Sequence, residues 1–207
     1  MEKKQLILIM VAALAIIGSV ARLIITRSDG SSRGNPLPYG HLGTVVGEET
    51  VKLLGGKGSV VVVLEVIEGV KNPNNDDQVK GFKAGLAKSK GVTLKEVKEL
   101  KRDMSNDPRF WPEEQAARIV SMGAGADAVV LFVHFPSTLP AKDIAALKDS
   151  KKAILAVTTQ SPLLDSLIGA GAIRAAVAIR IPPKPLPAGK ENPAQWFDRV
   201  YTVLKAP

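Results

Sequence analysis

No cysteine occurs in the 207 residues, and there are only two histidines. The missing thiols exclude disulfide scaffolds, Cys-based zinc sites, thiol catalysis and lipid attachment at an N-terminal cysteine, and they leave the redox compartment open. His41 and His134 have no ligand spacing between them, so no metal site and no cofactor are expected. Aromatic residues make up only 4% of the chain, which leaves Val, Ile, Leu and Ala to build the core. Apolar residues are plentiful, at 45% against 23% charged, so the bulk of the chain must fold. At roughly 150 residues per domain, the length allows one domain with a short appendage.

Long apolar runs are absent except at the start. Leu6 to Ala21 are sixteen consecutive apolar or small residues, preceded by Lys3 and Lys4, and the character resumes with Leu23, Ile24 and Ile25. About 20 such residues span the roughly 30 Å hydrocarbon core of a bilayer. Residues 1–27 are therefore expected to be a transmembrane anchor, with Leu6, Ile9, Leu14, Ile17 and Leu23 against the lipid and Arg22 snorkelling from one end. Ser19-Val20-Ala21 also fits a peptidase site, so a cleaved signal peptide is the alternative. The bilayer is the first expected partner.

The net charge is +8. The first 27 residues hold four basic side chains and one acidic, and the rest of the chain is about +5. Its lysines are dispersed among acids between Lys71 and Asp103. A nucleic-acid stripe would be concentrated and interleaved with aromatics, so no nucleic-acid partner is expected.

Residues 28–40 (SDGSSRGNPLPYG) read as a flexible linker. Beyond them, helix and strand patterns alternate through a domain spanning 41–183. His41 to Leu54 reads as a helix with a Gly55-Gly56 stop. Ser59 to Ile67 (SVVVVLEVI) is a β-branched run suited to a strand buried on both faces. A helix over Asp76 to Ser89, capped by Asp76, precedes an edge strand over Thr93 to Leu100. A helix over Pro112 to Met122 then leads to a buried strand at Asp127 to Val133. Further helices are expected at Ala141 to Leu147 and Leu163 to Ile168, with strands at Ala153 to Val157 and Ala175 to Ile181. Residues 184–207 read as a proline-rich strap and a terminal helix over Pro193 to Leu204. The expected fold is α/β, a doubly wound parallel sheet of about five strands preceded by one transmembrane helix.

Several spaced segments resemble the C-terminal lobe of the type I periplasmic sugar-binding proteins. They are Leu53-Leu54-Gly55-Gly56-Lys57-Gly58-Ser59 with the strand after it, Val79-Lys80-Gly81-Phe82 to Leu86, and Gly125-Ala126-Asp127-Ala128-Val129. Gly171-Ala172-Ile173 with Pro182 completes the set, which covers about residues 43 to 183. The resemblance implies a periplasmic-binding-protein-like lobe. It also implies ligand-reading positions at Gln78, at Val133 and His134, and at Thr158. The family's arginine, asparagine and aspartates do not occupy those positions here. The family also clamps its sugar between two lobes, and this chain has length for one.

His134, Ser137, Thr158 and Gln160 fall at or beyond the C-terminal ends of neighbouring strands, where doubly wound folds bind ligands. With Gln78 they form the candidate ligand set. A hydrolytic triad would need an orienting carboxylate and an oxyanion hole, and no G-x-S-x-G occurs, so no catalytic residue is assigned. Gly55 to Ser59 lacks the first glycine of a phosphate loop and precedes a strand instead of opening a helix. Asn72 to Asp77 reads as a turn and helix cap. Trp196, Phe197 and Tyr201, expected on the last helix, either pack on the core or anchor an interface.

The expectation from sequence is a non-catalytic accessory or structural subunit on the periplasmic side of a bacterial inner membrane. Its partner would be a membrane complex or another copy of itself. The alternative is a sugar-like ligand sensor or a transport-associated substrate-binding domain.

Overall fold

The β-branched runs decide the architecture. The computed structural model describes residues 36–70, 72–107, 109–159, 162–187 and 191–206. In it β1 (Gly58–Ile67), β2 (Val92–Arg102), β3 (Ala128–Phe132), β4 (Ala153–Thr159), β5 (Ala175–Ile179) and β6 (Tyr201–Lys205) form one sheet in the order β2-β1-β3-β4-β5-β6. The first five strands are parallel, and β6 runs antiparallel to β5. Successive side chains of a strand point to opposite faces, so each central strand feeds two cores. Val61, Val63, Val129, Leu131, Ile154 and Ala156 point to one, and Val60, Val62, Leu64, Val130, Phe132 and Val177 to the other. Each fully buried Val or Leu side chain contributes about 1.5–3 kcal/mol.

Helices cover both faces. Ala116 and Ile119 of α3 (Gln115–Met122), Leu147 of α4 (Ala141–Asp149) and Leu164 and Leu167 of α5 (Pro162–Gly169) pack on the first core. The second is covered by α1 (Pro36–Leu53) and α2 (Pro73–Leu86) through Leu42, Val46, Phe82 and Leu86, with α6 (Pro193–Val200) beside them. Both α1 and α2 descend from the strand C-terminal end of the sheet, and their backbones touch at glycines. A Cβ on Gly81 would collide with the Gly40 carbonyl, one on Gly43 with the Gln78 carbonyl, and one on Gly85 with the Thr44 carbonyl. After α1 the chain reverses through Gly55 and Gly56, both in the left-handed region at φ 62° and 83°. That conformation is open to glycine at no steric cost.

Four expectations need correction. First, α1 starts at Pro36, inside the segment expected as linker. Prolines at 36 and 38 suit a first helical turn, where the missing N–H is no loss. Second, α2 is capped by Asn72, whose side chain accepts from the Asn74 N–H (3.1 Å), with Pro73 at the first helical position, so Asp76 lies inside the helix. Third, α3 starts at Gln115. Glu114 adopts φ 62°, which breaks the helical path expected from Pro112. Fourth, the terminal helix stops at Val200 and the chain turns directly into β6. Tyr201 pairs with Ile179, so β6 starts at the end of the sheet where β5 finishes and must run back antiparallel. Tyr-Thr-Val is strand-favouring sequence. The sheet is therefore mixed and six-stranded.

The expected anchor, 1–27, and all but the last five residues of the expected linker lie outside the described residues. No helix among the described residues is long and apolar enough to cross a membrane.

The glycine contact predicts substitutions of opposite sign. Gly81→Ala should lower stability by about 1–3 kcal/mol through overpacking, although alanine is the better helix former by about 1 kcal/mol. Gly169→Ala, where an added Cβ meets open space, should raise stability by about 0.4–1 kcal/mol. Urea denaturation of both variants checks this, and a stabilised Gly81→Ala would show that the helices do not touch there.

Candidate ligand cleft

The strand order places a topological switch between β1 and β3. From β1 the chain crosses to β2 on one side, then returns to lay β3 on the other. Helices on the two flanks part at such a point, and a crevice opens beyond the strand C-termini. A cleft of about 280 Å³ occupies this position, and its walls include Leu42, Glu65, Gln78, His134, Thr158 and Tyr201. A second cavity of about 240 Å³ adjoins it toward β2, between Arg102, Phe110, Trp111 and Arg118, and it shares Glu65 and His134 with the first.

Between the two stands a hydrogen-bonded node. One Glu65 carboxylate oxygen accepts the His134 backbone N–H at 2.7 Å, and the other accepts from the Arg102 guanidinium at 3.0 Å. The Glu65 side chain is only 15% exposed, so an unpaired carboxylate there would be costly and the ion pair compensates for its burial. The His134 carbonyl in turn accepts from the Trp111 indole N–H at 2.9 Å. Both backbone groups of His134 are thus held, which sets where its ring enters the crevice. Next to it, the Thr158 hydroxyl oxygen accepts from the Phe135 N–H at 3.3 Å, so the hydroxyl proton is left to donate. The half-buried Gln78 projects from the first turns of α2, and its amide makes no hydrogen bond to another described residue. An amide, a hydroxyl and a histidine over an apolar floor can hold a small polar molecule by hydrogen bonds.

Gln78, His134 and Thr158 thus come together as expected neighbours. Ser137 does not join them. It is exposed, and its N–H and hydroxyl both turn to the Arg109 carbonyl at 3.2 and 3.5 Å, which ties the β3–α4 loop to the β2–α3 loop. Gln160 lies outside the described residues. Glu65 was not among the residues singled out from sequence. Its signal was present, as one carboxylate near the C-terminal end of an otherwise apolar β-branched run.

The aromatic cluster is arranged differently from the expected single helix face. Tyr201 opens β6, stacks on Phe197 at 5.6 Å between ring centroids and meets Trp196 edge-on at 5.4 Å. All three are half-buried and pack on the α1–α2 core. His41, expected next to the linker, sits in α1 edge-on to Phe197 at 6.2 Å. Burial is the largest influence on its pKa and outweighs the raising effect of Glu48, so the value is lowered. Behind the cluster, β6 is tied to α1 by the ion pair between Lys205 and the buried Glu49, which also pairs with Lys52 at 2.7 Å. Burial alone would raise the Glu49 carboxyl, but the lysine hydrogen bonds outweigh it and its pKa lies below the usual value.

No family model matches the sequence, and no curated protein matches it. Solved structures share its chain path over part of their length. An ABC transporter periplasmic solute-binding protein from Actinobacillus succinogenes, solved with D-allose, is 13% identical with a TM-score of 0.49, over 68% of this chain and 46% of that one. AraP, an arabinose-binding protein from Geobacillus stearothermophilus, is 20% identical with a TM-score of 0.48, over 70% and 46%. A solute-binding protein from Burkholderia graminis, in complex with D-arabinose, is 19% identical with a TM-score of 0.45, over 67% and 46%. This chain therefore spans about half the length of each.

Burial raises the Tyr201 phenol to about 12, with Tyr39 a smaller cause. The unfolded phenol ionises near 10. Stability from this group is thus complete below about pH 10 and is lost as pH climbs toward 12, because the folded chain holds a proton that the unfolded chain has released. Urea denaturation between pH 9 and 11.5 should show the wild type losing more stability than Tyr201→Phe. Equal slopes would mean that the ring is not desolvated.

Proposed function

We propose that this domain is a non-catalytic binding module that takes a small polar, sugar-like ligand at the C-terminal ends of β1, β3 and β4. The observation that carries this reading is the convergence of Gln78, His134 and Thr158 in one cleft at the topological switch, beside the Glu65–Arg102 pair. Gln78 supplies an amide donor and acceptor, Thr158 a hydroxyl donor, and the apolar floor a face for the ring carbons of a sugar. The lobe resemblance in the sequence adds to this reading. So does the apolar N-terminal run, through which the domain would be tethered on the extracytoplasmic side of a membrane, serving a transporter or a sensor.

A second reading is an accessory subunit of a membrane complex that binds no ligand. One observation favours it. The carboxylate in the cleft, Glu65, is already engaged by the His134 N–H and Arg102, so it has less capacity left for sugar hydroxyls.

Calorimetric titration of the full chain with D-arabinose and D-allose separates the two. Saturable binding is expected, weakened about tenfold (about 1.4 kcal/mol) by Gln78→Ala or Thr158→Val, with both variants melting as the wild type does. No binding, together with co-purification with a larger complex after gentle detergent extraction, would reject the ligand reading in favour of the second.

A further inference from the structure

The second cavity, of about 240 Å³ between the end of β2 and α3, shares Glu65 and His134 with the cleft but is otherwise built from different residues. Its apolar lining includes Leu100 and Trp111, which are 1 and 9% exposed and belong to the core that α3 covers. Phe110 also lines it and is 53% exposed, with the Arg109 guanidinium 5.7 Å from its ring centre. On α3, Gln115 and Arg118 are three residues apart and share a helix face, and both line the cavity. Apolar and aromatic side chains joined by a few convergent polar groups are the composition of a small-molecule site.

The charges on its walls decide what fits. Arg102 pairs with Glu65 at 3.0 Å and Lys101 with Glu68 at 3.1 Å. Asp107 is held by Arg109 at 2.6 Å and Glu113 by Lys142 at 3.1 Å. One charge of each sign is left without a counter-ion among the described residues. The Arg118 side chain makes neither an ion pair nor a hydrogen bond to another described residue. The Asp103 carboxylate accepts the Ser105 backbone N–H at 2.9 Å, which holds its pKa below the usual value, and no described cation pairs with it. A plain acid would meet Asp103, Asp107 and Glu113 on these walls, and a plain amine would meet Lys101, Arg102 and Arg118. A molecule that carries both charges avoids either conflict.

We propose that this cavity binds a free α-amino acid with an aromatic side chain. Arg118 takes the carboxylate, because a planar guanidinium offers two parallel N–H donors to a carboxylate's two oxygens. Asp103 takes the ammonium group. Phe110 and Trp111 take the ring, which gains from aromatic contact beyond simple burial. Arg102 keeps Glu65, so the node between the two cavities stays intact when the amino acid binds. This site is separate from the one that holds a sugar-like ligand and does not depend on it.

Calorimetric titration of the full chain with L-phenylalanine tests the site. Saturable binding is expected, weakened at least about tenfold by Arg118→Gln and by Asp103→Asn. Both side chains are exposed, so both variants should melt as the wild type does. Phenethylamine, which lacks the carboxylate, and 3-phenylpropionate, which lacks the ammonium group, should each bind at least about tenfold more weakly than L-phenylalanine. Absence of saturable L-phenylalanine binding would overturn the proposal, and so would binding that survives both substitutions. A 3-phenylpropionate affinity equal to that of L-phenylalanine would also overturn it. Gln78→Ala should leave the L-phenylalanine titration unchanged. A chain that takes L-phenylalanine but neither D-arabinose nor D-allose keeps this site and removes the sugar reading, and the reverse result keeps the sugar reading and removes this site.

Discussion

The close approach of α1 and α2 is the constraint on which the rest of this structure depends. Two helices whose backbones touch need residues without side chains at the crossing, and Gly43, Gly47, Gly81 and Gly85 provide them. The contact places Leu42 and Gln78 side by side at the strand C-terminal end, where both line the cleft. It also lets two helices share the space over β1 and β3, where Phe82 and Phe132 meet edge-on at 6.3 Å within the α1–α2 core.

Glu65 shows how a fold can spend a carboxylate. A charge in a buried strand is tolerated only when its partners are close and well oriented, and here they come from β2 (Arg102) and from the segment after β3 (His134). The two partners come from the strands on either side of β1. The node thus joins the strands that flank the switch point, and it orients the histidine in the crevice between them.

The surface at this end differs from the edge of the sheet. The outer strand β2 carries Lys95, Glu96, Lys98 and Glu99, alternating charge that discourages edge-to-edge pairing. At the strand C-termini several charges stand in local pairs, such as Lys101 with Glu68 and Lys184 with Asp198, and Phe110, Ile181 and Leu186 are exposed in the segments that follow the strands.

The sequence by itself determined the layered α/β architecture. Runs such as SVVVVLEVI and DAVVLFV are too β-branched and too short for helices, and too uniformly apolar for a one-sided sheet, so each had to be a strand covered on both faces. It also offered His134, Ser137, Thr158 and Gln160 as a candidate set, because strand ends in such folds collect at one side, and the family resemblance added Gln78. Local pattern misled where two periodicities overlapped. PAQWFDRV continues into YTVL with acceptable helical spacing, and only pairing with β5 makes Tyr201 to Lys205 a strand. Tertiary structure alone decided the start of α1, since prolines read as linker until a partner helix supports the turn that they begin. It alone turned Ser137 away toward Arg109. It alone gave Glu65 its place, because the partners of a buried charge lie 37 and 69 positions away in sequence, and no local rule reaches that far.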